Sequence, residues 1–180
     1  MQNDKGQTLL EMVVVIAVAL LVVAALTFAT ISSLRNSQYA KNQAQATKLA
    51  QEAVEKIRVI RDRDGEVLFT YAQGGNEQST SKFSELWTLN LSSSYCGNKA
   101  CFFKLNSTNN TLSRVNTDVL DQSATTLHFE MINNFKRQVQ ISDLSAAYNL
   151  EKKVTAVVVW NDFAGDHESR ITTILRNLHQ

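Results

Sequence analysis

Proline is absent from this chain, and only six of its 180 residues are glycine. Those two shortages exclude collagen-like, polyproline and low-complexity linker architectures, each of which needs one or both residues in abundance. Cysteine is scarce too, with only Cys96 and Cys101. A structural zinc site takes about four ligands, so this pair does not make one by itself. An excess of one charge sign is also missing. With 18 Lys and Arg against 17 Asp and Glu, the net charge is +1, and the bases are scattered among the acids. No electrostatic footprint for nucleic acid results, and that partner class is set aside. No internal repeat is apparent.

What is present begins at the N-terminus. Residues Met12 to Leu34 carry no charge, and at about 1.5 Å per residue they make a helix of roughly 35 Å, long enough to cross a bilayer's hydrocarbon core with some tilt. Glu11 sits at the mouth of this run. An ionisable group there costs on the order of 1 to 3 kcal/mol unless it stays near the interface or meets a cation. A secretory signal peptide also begins with a short charged segment before an apolar core. This run is longer than a usual signal core, has Glu11 at its start, and offers no distinctive cleavage site near Thr27 to Ala29. A plain single-pass anchor also satisfies hydropathy alone. About 145 residues remain for one modest soluble domain.

From Gln7 to Asp64 there is neither glycine nor proline, so one continuous helix is expected, about 85 Å long. Beyond Leu34 it turns amphipathic. Ala46, Leu49, Ala50, Ala53, Val54, Ile57 and Ile60 recur at intervals of three and four, a stripe suited to packing on a sheet, while Lys48, Gln51, Glu52, Glu55 and Lys56 face water. Glu52 with Lys56, and Arg58 with Asp62, have the spacing for ion pairs. Gly65 is expected to take the left-handed conformation that closes the helix after Asp64.

Residues 72 to 100 are rich in Ser, Asn, Gly and Gln and predict a long surface loop holding short elements such as Phe83 to Leu91. Strands are expected at Ala100 to Leu105, Thr125 to Met131, Phe135 to Ser142, Lys153 to Trp160 and Ser169 to Arg176, where β-branched and aromatic residues concentrate. Phe135, Val139 and Ile141 share one face, with Lys136, Gln138 and Gln140 opposite. Val154, Ala156, Val158 and Trp160 on one face, with Val157 and Val159 on the other, predict a central strand covered on both sides. Asn161 to Asp166 supply the turn to the last strand. The fold class is α+β: a long helix, transmembrane over 7 to 34 and amphipathic over 35 to 64, laid on an antiparallel sheet within residues 65 to 180.

The N-terminal residues resemble those of the type IV pilin and pseudopilin family. A polar leader, Met1 to Lys5, ends in Gly6 and is followed by Gln-Thr-Leu-Leu-Glu and an unbroken apolar run. The resemblance implies cleavage between Gly6 and Gln7 by a prepilin peptidase, N-methylation at Gln7, and assembly through Glu11, the fifth mature residue. In such filaments that carboxylate meets the N-terminal ammonium of a neighbouring subunit, a pairing that offsets the desolvation of both charges. The family's first mature residue is most often Phe or Met, whereas here it is Gln7, and its frequent helix-bending proline is absent. Leu49 to Arg61, Phe135 to Ile141, Lys153 to Trp160 and Ile171 to Leu175 are similar to segments of minor pilins and minor pseudopilins. Positive charges at Arg35, Lys41 and Lys48 alone would keep the C-terminal side in the cytoplasm. The resemblance implies the reverse, an extracytoplasmic sheet domain.

An outward-facing domain suits a disulfide between Cys96 and Cys101, whose spacing a turn can close; two free thiols are the alternative. His128 falls in a strand pattern, His167 in a hairpin and His179 at the terminus, with no nucleophile signature near any of them. Asp162, Asp166 and Glu168 offer calcium a flexible oxygen cluster, against the commoner reading of a solvated hairpin turn. Asn90, Asn106 and Asn109 each head an Asn-x-Ser/Thr triplet. The expectation is a non-enzymatic filament subunit with no cofactor. Its partners would be the prepilin peptidase, other pilin or pseudopilin subunits, an inner-membrane assembly platform and membrane lipid. The alternative is a singly anchored binding protein or adhesin that never polymerises.

Overall fold

A computed structural model describes residues 4–73, 76–91, 95–97, 100–121, 123–144 and 148–177; within these, side chains are described for 9–70 and from 79 onward. The chain divides into two compact units, Met1–Lys41 and Asn42–Gln180. A helix, α1, spans Asp4–Asp62. No glycine between Gln7 and Asp64 loosens it, and no proline removes a donor.

In the second unit the predicted stripe is the buried one. Ala46, Ala50, Ala53, Val54, Ile57 and Ile60 join the main core, with Leu49 packed against it. Their spacing puts all seven on one side of the helix. Glu52 pairs with Lys56 at 3.0 Å as its spacing predicts. Arg58, in contrast, pairs with Glu55 at 2.7 Å, and Asp62 is taken by its neighbour Arg61.

The helix stops in a way the sequence reading misassigned. Asp64, not Gly65, adopts the left-handed conformation, with φ 48°. Gly65 N donates to Ile60 O at 2.7 Å and Asp64 N to Arg61 O at 3.2 Å, the paired bonds of a Schellman closure. Gly65 relieves a close approach, because a Cβ there would lie 3.2 Å from Ile60 Cγ2. Asp64 then accepts from Ser84 N at 2.7 Å through Oδ1, so one residue closes the helix and caps the 3-10 turn Phe83–Thr88.

Among the described residues eight strands follow: β1 Glu66–Gln73, β2 Asn76–Lys82, β3 Cys101–Asn106, β4 Thr111–Val115, β5 Glu130–Ile132, β6 Phe135–Asp143, β7 Glu151–Asp162 and β8 Gly165–Arg176. They form one sheet in the order β2-β1-β4-β3-β6-β7-β8, with β5 paired to β6. The arrangement is α+β and mostly antiparallel; the exception is a parallel β1–β4 pairing, Val67 beside Leu112. Val154, Ala156, Val158 and Trp160 face the main core. Val157 and Val159 meet Val119 and Phe129 in a second cluster on the other face.

Four strand expectations change. The expected loop from residue 72 onward includes β2, whose polar side chains hid it: it is an edge strand, where polarity is tolerated. Neither β1 nor β4 was foreseen. Thr125 to Met131 is not a strand, and only Glu130–Ile132 pairs, with β6. The preceding residues turn, with His128 N donating to Thr125 O at 2.9 Å and Thr125 N donating to His128 Nδ1 at 3.1 Å. Gln138 replaces a neighbouring strand there. Its amide accepts from Val119 N and donates to the Thr117 and His128 carbonyls at 2.8 to 2.9 Å.

Candidate functional site: the N-terminal helix and the domain that carries it

In the first unit the residues of interest lie on α1. Gly6 and Gln7 fall within it, their side chains outside the described set, and Glu11 is exposed. From Leu9 to Leu34 sixteen large apolar side chains are also exposed, from Phe28 at 77% to Ile31 at 44%. Burying them is worth on the order of 25 kcal/mol or more at about 1.5 kcal/mol each. Water is therefore the wrong solvent for this segment. The helix meets the length and composition of a membrane span, with a mean hydropathy of 3.0 in its most apolar window. Thr27 and Thr30 turn their hydroxyls back to the Val23 and Thr27 carbonyls at 2.8 Å, which removes polar groups from the apolar surface.

Two buried cations in the second unit hold the sheet under its helix and 3-10 turn, and sequence reasoning passed over both. Arg137 is fully buried on β6. Its guanidinium donates to Glu130 Oε2 at 2.6 and 3.0 Å and to the helix carbonyl of Leu49 at 3.1 Å. It also donates to Ser107 Oγ and lies 3.6 Å from Glu52. One side chain thus ties α1, the β3–β4 turn, β5 and β6. Strand parity was the available signal, since Arg137 shares its face with Phe135, Val139 and Ile141.

Lys152 has the same parity as Val154 and is likewise buried. It sits directly opposite Asp143, donating to it at 2.5 Å and to Leu89 O at 2.7 Å. Burial pushes the Lys152 ammonium below the ordinary lysine range, and Asp143 opposes that shift. Glu52 is held below the usual carboxylate range, chiefly by the Lys56 hydrogen bond, with Arg137 adding to it.

Cys96 and Cys101 form a disulfide with their Cα atoms 5.4 Å apart. The ring is fastened to the core side by Cys96 N donating to Leu91 O at 2.9 Å. The three carboxylates considered for calcium are engaged elsewhere. Asp162 accepts from Ala164 N at 2.8 Å and contacts His167 Nε2 at 2.9 Å. Asp166 accepts from Asn161 Nδ2 at 2.8 Å, and Glu168 holds Arg170 through two bonds of 2.9 Å. The Ala164 amide is the main reason Asp162 lies below the usual carboxylate range. Among the described residues no group of three or more His, Cys, Asp or Glu side chains is placed to hold a metal ion. His167 stacks on Trp160, ring centroids 5.4 Å apart, His128 lies in a turn, not a strand, and His179 lies outside the described residues.

With this geometry in place, the first 27 residues decide the reading: they match the family model described as the prokaryotic N-terminal methylation motif. The chain carries that methylation motif. It is characteristic of type IV pilins and pseudopilins, and it covers Gly6, Gln7, Glu11 and most of the exposed apolar run. The motif implies processing by a prepilin peptidase and assembly with pilin-like subunits. The apolar helix that bears it has the character of a membrane anchor. Comparison with curated proteins and with solved structures gives no match.

Proposed function

We propose that this chain is a structural, non-enzymatic subunit of a type IV pilus or of a type II secretion-like pseudopilus. The observation that carries the reading is the methylation motif over residues 1 to 27, joined to a membrane-length helix whose described apolar side chains are exposed. A peptidase cuts after Gly6 and leaves Gln7 as the N-terminal, methylated residue. The apolar half of α1 is stored in the cytoplasmic membrane, with the sheet domain outside the cytoplasm. An assembly platform then draws the helices out of lipid into a bundle, which replaces one apolar environment with another.

Glu11 supplies register within that bundle. A carboxylate moved from an interface into an apolar bundle needs a cationic partner, and the new N-terminus of a neighbouring subunit provides one. The experiment is mass measurement and N-terminal sequencing of the chain from its membrane, followed by filament recovery from a Glu11→Ala strain. A mature start at Gln7, with loss of filament incorporation and retained membrane insertion in the variant, is the expected result. A start at Met1 would make the chain a singly anchored binding protein, and normal incorporation of Glu11→Ala would remove the pairing role.

A further inference from the structure

Beside the disulfide lies a cavity of about 320 Å³, bordered by Tyr95, the Cys96–Cys101 bridge, Phe102, Arg114 and Asn116. Its volume is at the small end for binding pockets, room for a side chain rather than for a chain segment. Arg114 is the charged group on its wall. The guanidinium spends two donors on the Thr70 and Tyr95 carbonyls, at 2.7 and 2.9 Å, and lies 4.6 Å from the Phe69 ring centroid. Among the described residues no carboxylate pairs with it within ion-pair distance. Burial lowers its proton affinity, the signature of a cation that has lost water without gaining an anion.

A complementary feature lies at the other end of the same sheet. The β7–β8 hairpin turns at Phe163 and Ala164, and Phe163 is 58% exposed at its apex. Asp166 beside it is exposed, accepts from the Asn161 amide and makes no ion pair among the described residues. Cys101 pairs with Ile141, and Ile141 with Val154, so the cavity is level with the start of β7 while the tip is at its end. Eight residues at about 3.3 Å separate Val154 from Asp162, roughly 26 Å.

We propose that the β7–β8 tip of one copy of this chain docks in the disulfide-side cavity of the next, with Phe163 against Tyr95 and Phe102 and Asp166 paired with Arg114. The contact is head-to-tail: tip and cavity are different surfaces, so each docked copy leaves one of each open, and the series extends without closing. Placing tip and cavity at opposite ends of β7 lets copies related mainly by translation meet. Such copies keep the sheet-packed part of α1 pointing the same way, as subunits drawn from one membrane must. The inference rests on the filament reading for its geometry, and it assigns lateral specificity to the sheet domain in addition to the helix bundle.

The test places the photo-crosslinker benzoylphenylalanine at position 163 of the full chain in its native membrane, with products mapped by mass spectrometry. A cross-link from 163 to a peptide containing residues 95–102 or 111–116 of a second copy is expected. Arg114→Glu should reduce that product at least tenfold, and Arg114→Glu combined with Asp166→Arg should restore it. Protease resistance of the sheet domain equal to that of the parent chain shows that the variants are folded. Cross-links confined to other surfaces, or no rescue by the charge exchange, would overturn the contact. Cross-links of the expected kind on a chain that still begins at Met1 would leave the contact standing and remove the filament reading; filaments without them would do the opposite.

Discussion

Replacing Arg137 with Met tests whether a buried charge, and not only apolar packing, holds the helix on the sheet. Methionine fills much of the same volume but donates nothing, so Glu130, whose side chain is 15% exposed, loses two bonds at 2.6 and 3.0 Å. Ser107 Oγ and the Leu49 carbonyl lose a donor as well. Breaking a buried pair from one side costs about 3 to 5 kcal/mol, because the remaining charge stays desolvated. For a domain of this size that is a fall in Tm of roughly 10 to 20 °C. Trp87 and Trp160 are both buried in the main core, so tryptophan fluorescence during urea unfolding of the full chain in detergent reports the loss directly. Arg137→Met with Glu130→Gln should recover a third or more of the deficit, since the orphaned charge is gone. A single-variant cost below about 1 kcal/mol, or a double variant no better than the single, would refute the assignment of Arg137 as the tie between helix and sheet.

Opening the disulfide with Cys96→Ser and Cys101→Ser together should cost about 2 kcal/mol by the loop-entropy estimate for so short a ring, read as a shift in urea midpoint at unchanged m-value. Gly65→Ala should cost about 1 to 3 kcal/mol, since its Cβ meets Ile60 Cγ2 at 3.2 Å; an Asp64→Gly variant measured beside it separates this crowding from backbone strain. Acid sensitivity has a defined sign. Glu52 is held below its ordinary value of 4.5, so the unfolded chain takes up the proton first. Its contribution is complete above about pH 4.5 and disappears as the pH falls through the lower folded value. Glu52→Gln should flatten that part of the stability profile by a few tenths of a kcal/mol, a small effect because the side chain is 43% exposed.

Local chemistry was mostly readable where one residue's neighbours in sequence were also its neighbours in space; the exception is Arg58 with Asp62, where Glu55 and Arg61 compete at equally short range. The α1 stripe and the Glu52–Lys56 pair needed only helical spacing, and the two faces of β7 needed only alternation. Reading failed where a side chain answered to something distant. Thr125 to Phe129 has strand composition, yet it turns on its own bonds, and the Gln138 amide takes the His128 carbonyl that a neighbouring strand would otherwise have bonded. The β2 edge strand fails the apolar test because an edge does not demand it. Asp64 takes the left-handed cap that Gly65 was expected to take, and its carboxylate also serves Ser84, twenty residues on.

The N-terminal methylation motif, the uncharged run behind Glu11 and the unbroken helix were determined by the sequence alone, because charge, hydropathy and helix continuity are properties of consecutive residues. Tertiary structure alone decided the rest. Arg137 looks in sequence like an ordinary surface charge between Lys136 and Gln138, and Lys152 like one of a surface pair with Lys153. Folding buries both because Glu130, Leu49 and Ser107 converge on the first, and Asp143 and Leu89 on the second. A buried cation is tolerable only where partners from separate segments meet around it, and that meeting exists nowhere in the linear chain.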